Sequence, residues 1–246
     1  DIEGAGRFNK FRYANDNYAL LGLIIEKVSG QSYEEFVRQQ ILAPLGMSST
    51  FFSQEEAAGH NLARGHQLYF GMPMVSGISY HRANLANGGI LSSAKDLCQY
   101  LQAHMVIDTT SRPVLPALEK TNDLFRATPE DIYRKGWFIN EHNGKKFFAH
   151  GGQLSDHRNF FGFYPEEQLG LVVLINQHSL FLNNRIGRIS ENVLEFLENG
   201  SLPKASNAKL NLSYWIFIIL SVLLVIFFII SLFREIRSDK IDQLPK

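Results

Sequence analysis

The sequence predicts an α+β domain, with helices flanking an antiparallel sheet, followed by one C-terminal transmembrane helix. Three observations carry that reading. Apolar side chains recur at helical spacing over residues 15–42 and 94–105. Residues 133–175 break into short β-type runs separated by turn residues. Tyr214 to Phe233 is a run of twenty residues without a charge.

Asn15 to Ser29 carries Leu20, Leu21, Leu23, Ile24, Ile25 and Val28, a wide apolar face closed by Gly30, the residue type that ends helices by turning left-handed. Ser32 and Glu35 form a capping box, Ser-x-x-Glu, that opens a second helix to about Leu42; Pro44-Leu-Gly-Met47 ends it. Residues 53–89 read as loop, rich in Gly, His and Asn. Ser93 caps a third helix from Ala94 to about Met105, with Leu97, Tyr100 and Leu101 facing inward.

Four strands follow: Gly136 to Ile139, Lys146 to Ala149, Asn159 to Tyr164 and Leu169 to Ile175. Asn143-Gly144 turns the chain between the first two, and Pro165 to Gln168 between the last two, which suits antiparallel hairpins. Helical period returns over residues 182–198 with Ile186, Ile189, Val193, Phe196 and Leu197. The expected division is a domain over residues 1–198, a Ser/Pro/Lys/Asn linker over 199–212, a membrane helix over 213–233 and a tail over 234–246.

Sixteen of the twenty residues from Tyr214 to Phe233 are Leu, Ile, Val or Phe. At 1.5 Å per residue they reach about 30 Å, and insertion is favoured by up to about 5–10 kcal/mol. Arg234, Arg237, Lys240 and Lys246 follow the span, against Lys204 and Lys209 before it. Tyr214 and Trp215 suit an interfacial belt. This asymmetry places the tail in the cytoplasm and the large domain on the extracytoplasmic side.

Composition excludes several classes. The 24 basic and 24 acidic residues balance, and no basic run exceeds Lys145-Lys146, so nucleic acid is not an expected partner. One cysteine, Cys98, rules out an internal disulfide framework and a cysteine-based zinc site. His60, His66 and His81 lack the short spacing of a zinc site on a helix. Hydrophobic residues make up 45% of the chain, too many for disorder.

Tyr13-Ala-Asn15 and His150-Gly-Gly152 say little singly; the first triplet is expected by chance about 0.6 times at this composition. Their company is more specific. The stretch from Arg12 to Gly30, then Gln-Ser-Tyr-Glu-Glu-Phe36, Pro44-Leu-Gly-Met47, Asn87-Gly-Gly-Ile-Leu-Ser-Ser-Ala-Lys-Asp-Leu97, His150-Gly-Gly152 and Leu169 to Asn176 stand in one order over roughly residues 8–198. As a set they resemble the serine β-lactamase-related family, which includes class C β-lactamases, penicillin-binding proteins and related peptidases and esterases.

The resemblance implies acyl transfer through a serine ester. It makes Tyr13 the phenol that shuttles a proton between nucleophile and leaving group, a role that calls for nearby cations to lower its pKa. Asn15 would point its amide at the substrate. His150 stands where many relatives carry the lysine of Lys-Thr-Gly, so its charge would depend on pH. Gly151 and Gly152 let substrate approach the strand, and the Gln153 N–H would form half of the oxyanion hole. Ser155-Asp156 departs from the Gly-aromatic element many relatives carry there, which bears on specificity. Three adjacent residues, Ser155-Asp156-His157, cannot face one another as a triad.

The family's nucleophile lies in Ser-x-x-Lys, well upstream of Tyr-x-Asn. Twelve residues precede Tyr13 and none is serine. The pattern recurs downstream at Ser92/Lys95, Ser201/Lys204 and Ser206/Lys209, the last two in the linker and the first in a stretch that opens a packing helix in relatives. The expectation is therefore the C-terminal portion of a bacterial membrane-anchored serine hydrolase, incomplete at its N-terminus and inactive alone. It would act on peptides, amides or esters bearing a D-amino acid. Two alternatives stand beside it: a prodrug-maturing D-peptidase of the same family, and a non-catalytic tethered sensor or binding protein. No metal or organic cofactor is implied; the partners are a small-molecule or peptide substrate and membrane lipid around the C-terminal helix.

Overall fold

Cap chemistry sets the helix boundaries. The computed structural model describes residues 11–69, 72–77, 81–105, 132–142, 144–178, 183–201 and 212–242. Helix α1 runs Asn15–Ser29, and Gly30 ends it at φ 70° with its N–H donating to Glu26 O. Helix α2, Tyr33–Val37, opens where Ser32 Oγ accepts from Glu35 N–H. The helix does not run unbroken to Leu42: a π-helical turn, Arg38–Leu42, and a short turn, Ala43–Leu45, continue it until Gly46 at φ 67°. Helix α3, Ala94–Met105, starts where Ser93 Oγ accepts from Asp96 N–H.

Residues expected as loop hold more structure than the sequence shows. Besides a short helical turn at Gln54–Ala57, strands β1 (His66–Tyr69) and β2 (Met72–Val75) form an antiparallel pair. Four residues each are too few for alternation to show, and the third partner is more than a hundred residues away. It is β8, Gln177–His178, which runs parallel to β1 with His66 opposite Gln177.

The larger sheet is an antiparallel meander, in the order β3-β4-β5-β6-β7. Its strands are β3 (Tyr133–Arg134), β4 (Trp137–His142), β5 (Lys145–Gln153), β6 (Arg158–Tyr164) and β7 (Leu169–Ile175). The α+β class and its hairpins stand as expected. Helix α3 packs on β6 and β7, where Gly170 makes room: a Cβ there would lie 3.2 Å from Met105 Cε and 3.4 Å from Leu101 Cδ1. Leu101, Met105, Trp137, Phe148 and Phe163 form the core under it. A second cluster, Val37, Leu42, Met47, Phe52 and Leu85, holds the helical part, and Tyr100 packs against both. Buried Asp96 ties α3 to the preceding loop by accepting from Ser49 N–H (2.8 Å) and Thr50 Oγ1 (2.7 Å).

The chain divides into two compact units between His178 and Ser179. The second holds α4, Asn183–Asn199, ended by Gly200 at φ 66°, and α5, Leu212–Asp242. Most of the expected linker lies outside the described residues. Helix α5 contains the uncharged run, and from Trp215 to Phe233 its described large apolar side chains are exposed or half-buried. Among the described residues no helix is long and apolar enough to cross a membrane. The expected membrane span is therefore not supported among the described residues.

Candidate active site

Two residues separated by most of the domain meet where β5, the middle strand of the larger sheet, runs past its pairing with β4. Tyr13 immediately precedes Ala14, which is extended at φ −144° and leads into α1. His150 lies on β5, and the two ring centroids are 5.9 Å apart. Around them gather Tyr18 from α1, Tyr133 from β3 and Phe138 from β4. Phe138 lies 5.5 Å from His150 and 6.2 Å from Tyr13, centroid to centroid. Tyr133 Oη lies 3.5 Å from His150 Nε2, and its hydroxyl is hydrogen-bonded to that of Tyr18. Residue spacing offers no signal for Tyr18, Tyr133 or Phe138; the pairing of β4 with β5 sets Phe138 opposite Ala149, beside His150, and the pairing of β3 with β4 adds Tyr133.

This apolar setting decides the electrostatics. Burial, and then the neighbouring Tyr18, raises the Tyr13 phenol above its ordinary value. Tyr133 is raised further, by burial first and then by its bond to Tyr18. Burial lowers the His150 imidazole, outweighing a backbone bond at Gly151 that raises it, so the ring is neutral at pH 7. The cation that a phenolate at Tyr13 calls for is thus not supplied by His150, and the shift runs opposite to that condition.

The strand beyond His150 presents backbone. A Cβ on Gly152 would fall 2.6 Å from Asn159 Nδ2 and displace that amide, and one on Gly151 would crowd Asn159 O at 3.3 Å. Antiparallel pairs alternate between bonded and open. Leu154 N–H donates to His157 O (2.9 Å), which makes the next pair, Gln153 opposite Arg158, an open one. The Gln153 N–H therefore points away from β6. On that side β4 pairs with β5 only as far as Phe138 opposite Ala149, so this edge is uncovered by β4. Asn15 stands exposed at the first position of α1, two residues from Tyr13.

Other candidates are placed elsewhere. Ser92 Oγ is hydrogen-bonded to Thr50 Oγ1 (2.8 Å), within the network around buried Asp96. Lys204, Ser206 and Lys209 lie outside the described residues. His60 lies against Phe51, centroids 4.7 Å apart and rings tilted by 39°, and His66 Nδ1 lies 3.2 Å from Asn176 O. Among the described residues no group of three or more His, Cys, Asp or Glu side chains could hold a metal ion.

Comparison with known proteins places this geometry in context. A family model described as Beta-lactamase matches residues 9–188. Protein flp of Staphylococcus aureus (strain MRSA252) is 25% identical over 235 residues, covering 94% of this chain and 47% of that protein. The solved structure of an octameric penicillin-binding protein homologue from Pyrococcus abyssi aligns with a TM-score of 0.65 and 32% identity, over 82% of this chain and 45% of that one. A D-amino acid amidase from Ochrobactrum anthropi SV3 aligns with a TM-score of 0.60 at 20% identity, over 78% of this chain and 59% of that one; at that identity the likeness is one of fold. The chain spans about half the length of the curated relatives it matches.

Proposed function

The chain belongs to the beta-lactamase family, and we propose that it contributes the Tyr13–His150 side of an acyl-transfer site in a serine hydrolase. The nucleophilic serine would lie in sequence outside residues 1–246. The observation that carries the reading is the meeting of Tyr13 and His150, ring centroids 5.9 Å apart, beside the uncovered Gly151–Gln153 edge. A serine oxygen attacks the substrate carbonyl, and the Gln153 N–H donates to the oxygen that becomes negative. Tyr13 takes the serine proton and returns it to the leaving group as the tetrahedral intermediate collapses to an acyl-enzyme. Water then repeats the sequence in reverse roles. The neutral His150, held by Tyr133, contributes a hydrogen bond near the leaving group. The raised Tyr13 phenol makes one demand of this reading: the outside segment must bring a cation beside it, as the lysine of Ser-x-x-Lys would.

The substrate class we favour is a peptide, amide or ester bearing a D-amino acid. The D-amino acid amidase of like fold supports it. We place the domain on the extracytoplasmic side of a membrane, anchored by α5, on the strength of its twenty uncharged residues and the charges that follow them. A second reading is a tethered binding protein without turnover.

Labelling separates the two. A fluorophosphonate probe should leave residues 1–246 unmodified and form a stoichiometric serine adduct on the full-length protein containing them. Tyr13→Phe should slow that labelling severely. An unlabelled full-length protein leaves the binding reading, and an adduct on Ser92 in the short chain would overturn the outside nucleophile. Protease added to intact cells should degrade residues 1–212 and spare the tail after Arg234; protection of the domain would reverse the orientation.

A further inference from the structure

The turn that joins β5 to β6 is built unlike an ordinary two-residue hairpin loop. Such loops project polar side chains into water. Here Leu154 N–H closes the turn on His157 O, yet Asp156, in the middle of it, is only 2% exposed. Its carboxylate is bonded to His157, Oδ1 to Nδ1 at 3.0 Å. Both side chains lie over the backbone of Gly65: a Cβ there would stand 2.6 Å from Asp156 Cγ and 2.6 Å from His157 Cε1, inside van der Waals contact. The main chain is tied to the same place. His66 N–H lies 3.4 Å from Asp156 O and 3.0 Å from Asn176 O, so β1 grips the turn and the end of β7 together.

We propose that Asp156 is a positioning residue for the acyl-transfer site: seated over Gly65, it fixes the β5–β6 hairpin so that the Gln153 N–H stays aimed at the reacting carbonyl. The proposal rests on the acyl-transfer reading. Gln153 is three residues before Asp156 and one before the residue that closes the turn, so a tilt of the hairpin displaces its amide directly. An oxyanion donor works only within a fraction of an ångström, and a displacement near 1 Å costs about a hundredfold in rate. The small sheet β2-β1-β8 contributes no group to the chemistry in this arrangement. It serves as the abutment against which the hairpin is set.

The test uses the full-length protein containing residues 1–246, a p-nitrophenyl ester as substrate, and fluorophosphonate labelling to count active sites. Asp156→Ala and Gly65→Ala should each lower kcat per labelled site by about 10–100-fold, with KM within about threefold. Asp156→Asn should stay within about threefold of the parent, since its amide oxygen still accepts from His157 and fills the same space. A purely structural Asp156 would reduce the number of labelled sites and leave kcat per site unchanged, and that result overturns the proposal. If the parent neither turns over ester nor takes the probe, the acyl-transfer reading fails by itself. Hydrogen exchange over residues 150–158 then decides the hairpin argument: Asp156→Ala and Gly65→Ala should speed it at least about tenfold while Asp156→Asn does not, and equal exchange in all forms overturns it.

Discussion

Helices α1 and α3 start from the same kind of sequence and end in different circumstances. Both carry apolar residues at helical spacing; Gly30 ends α1 and Ser93 opens α3. Helix α3 buries Leu101 and Met105 against β6 and β7. Helix α1 packs one narrow side, where Gly22 lies so close to Ala86 that a Cβ would stand 2.6 Å from its Cβ. Its wide apolar face, Leu20, Leu21, Leu23, Ile24 and Val28, is exposed, Val28 to 82%. Full burial of each would be worth about 1.5–3 kcal/mol, so the five together forgo several times what one scattered exposed leucine does. Periodicity specifies that a helix forms and which face is apolar. What covers that face is a property of the rest of the fold.

The starkest way to break this contrast is to truncate one side chain on each side. Phe148→Ala under α3 should cost about 3–5 kcal/mol, and Leu23→Ala on α1 no more than about 0.5 kcal/mol. Chemical denaturation of residues 1–246 in detergent reads both, and equal costs would mean the α1 face is covered. Asp96→Ala strips α3 of its tie to the preceding loop and leaves the Ser49 N–H and Thr50 hydroxyl without their acceptor. The expected loss is about 2–3 kcal/mol in the same assay.

A smaller effect comes from pH. Burial lowers the pKa of His104 on α3 below its ordinary 6.5, against a weaker opposing bond to Tyr100 O. The unfolded chain therefore binds the proton more readily than the folded one. Stability should be full above about pH 6.5 and fall as pH drops through the lowered folded value. Burial lowers His150 in the same direction. Thermal melting from pH 7.5 to 5 checks the slope, and His104→Leu should flatten it in part.

The smallest effect sharpens the comparison at the helix starts. Ser93 caps α3, whereas Ala14, before α1, has no side-chain cap despite the extended backbone that suits one. Ser93→Ala should cost about 0.5–1 kcal/mol, and Ala14→Ser should gain up to about 1 kcal/mol. Melting midpoints of the two variants decide it.

Local chemistry explains what could be read from the chain alone. The end of α1 at Ser29 and the start of α3 at Ala94 were legible because Gly30 and Ser93 act within one turn of themselves. Four of the five strands of the meander, β4 to β7, were legible because each neighbour in sequence is also its neighbour in space; β3, two residues long, was not. Strands β1 and β2 were not, since their pairing with β8 is non-local and each is four residues long. In the site, Tyr13 and His150 came from resemblance, and no period or spacing points to Tyr133, whose role depends on β3 lying beside β4. The upward shift of Tyr13 was equally illegible, because it arises from rings assembled by the fold.

Tyr100 has a consequence for how the domain comes apart. It packs against the cluster beneath α3 and against the cluster that holds the helical part, and burial pushes its phenol up to about 12. A residue shared by two cores makes the opening of one cost the other, which merges two prospective unfolding units into one cooperative transition. The sheet and the helical part of the first unit are in this sense melted together or not at all, and one aromatic side chain marks the seam.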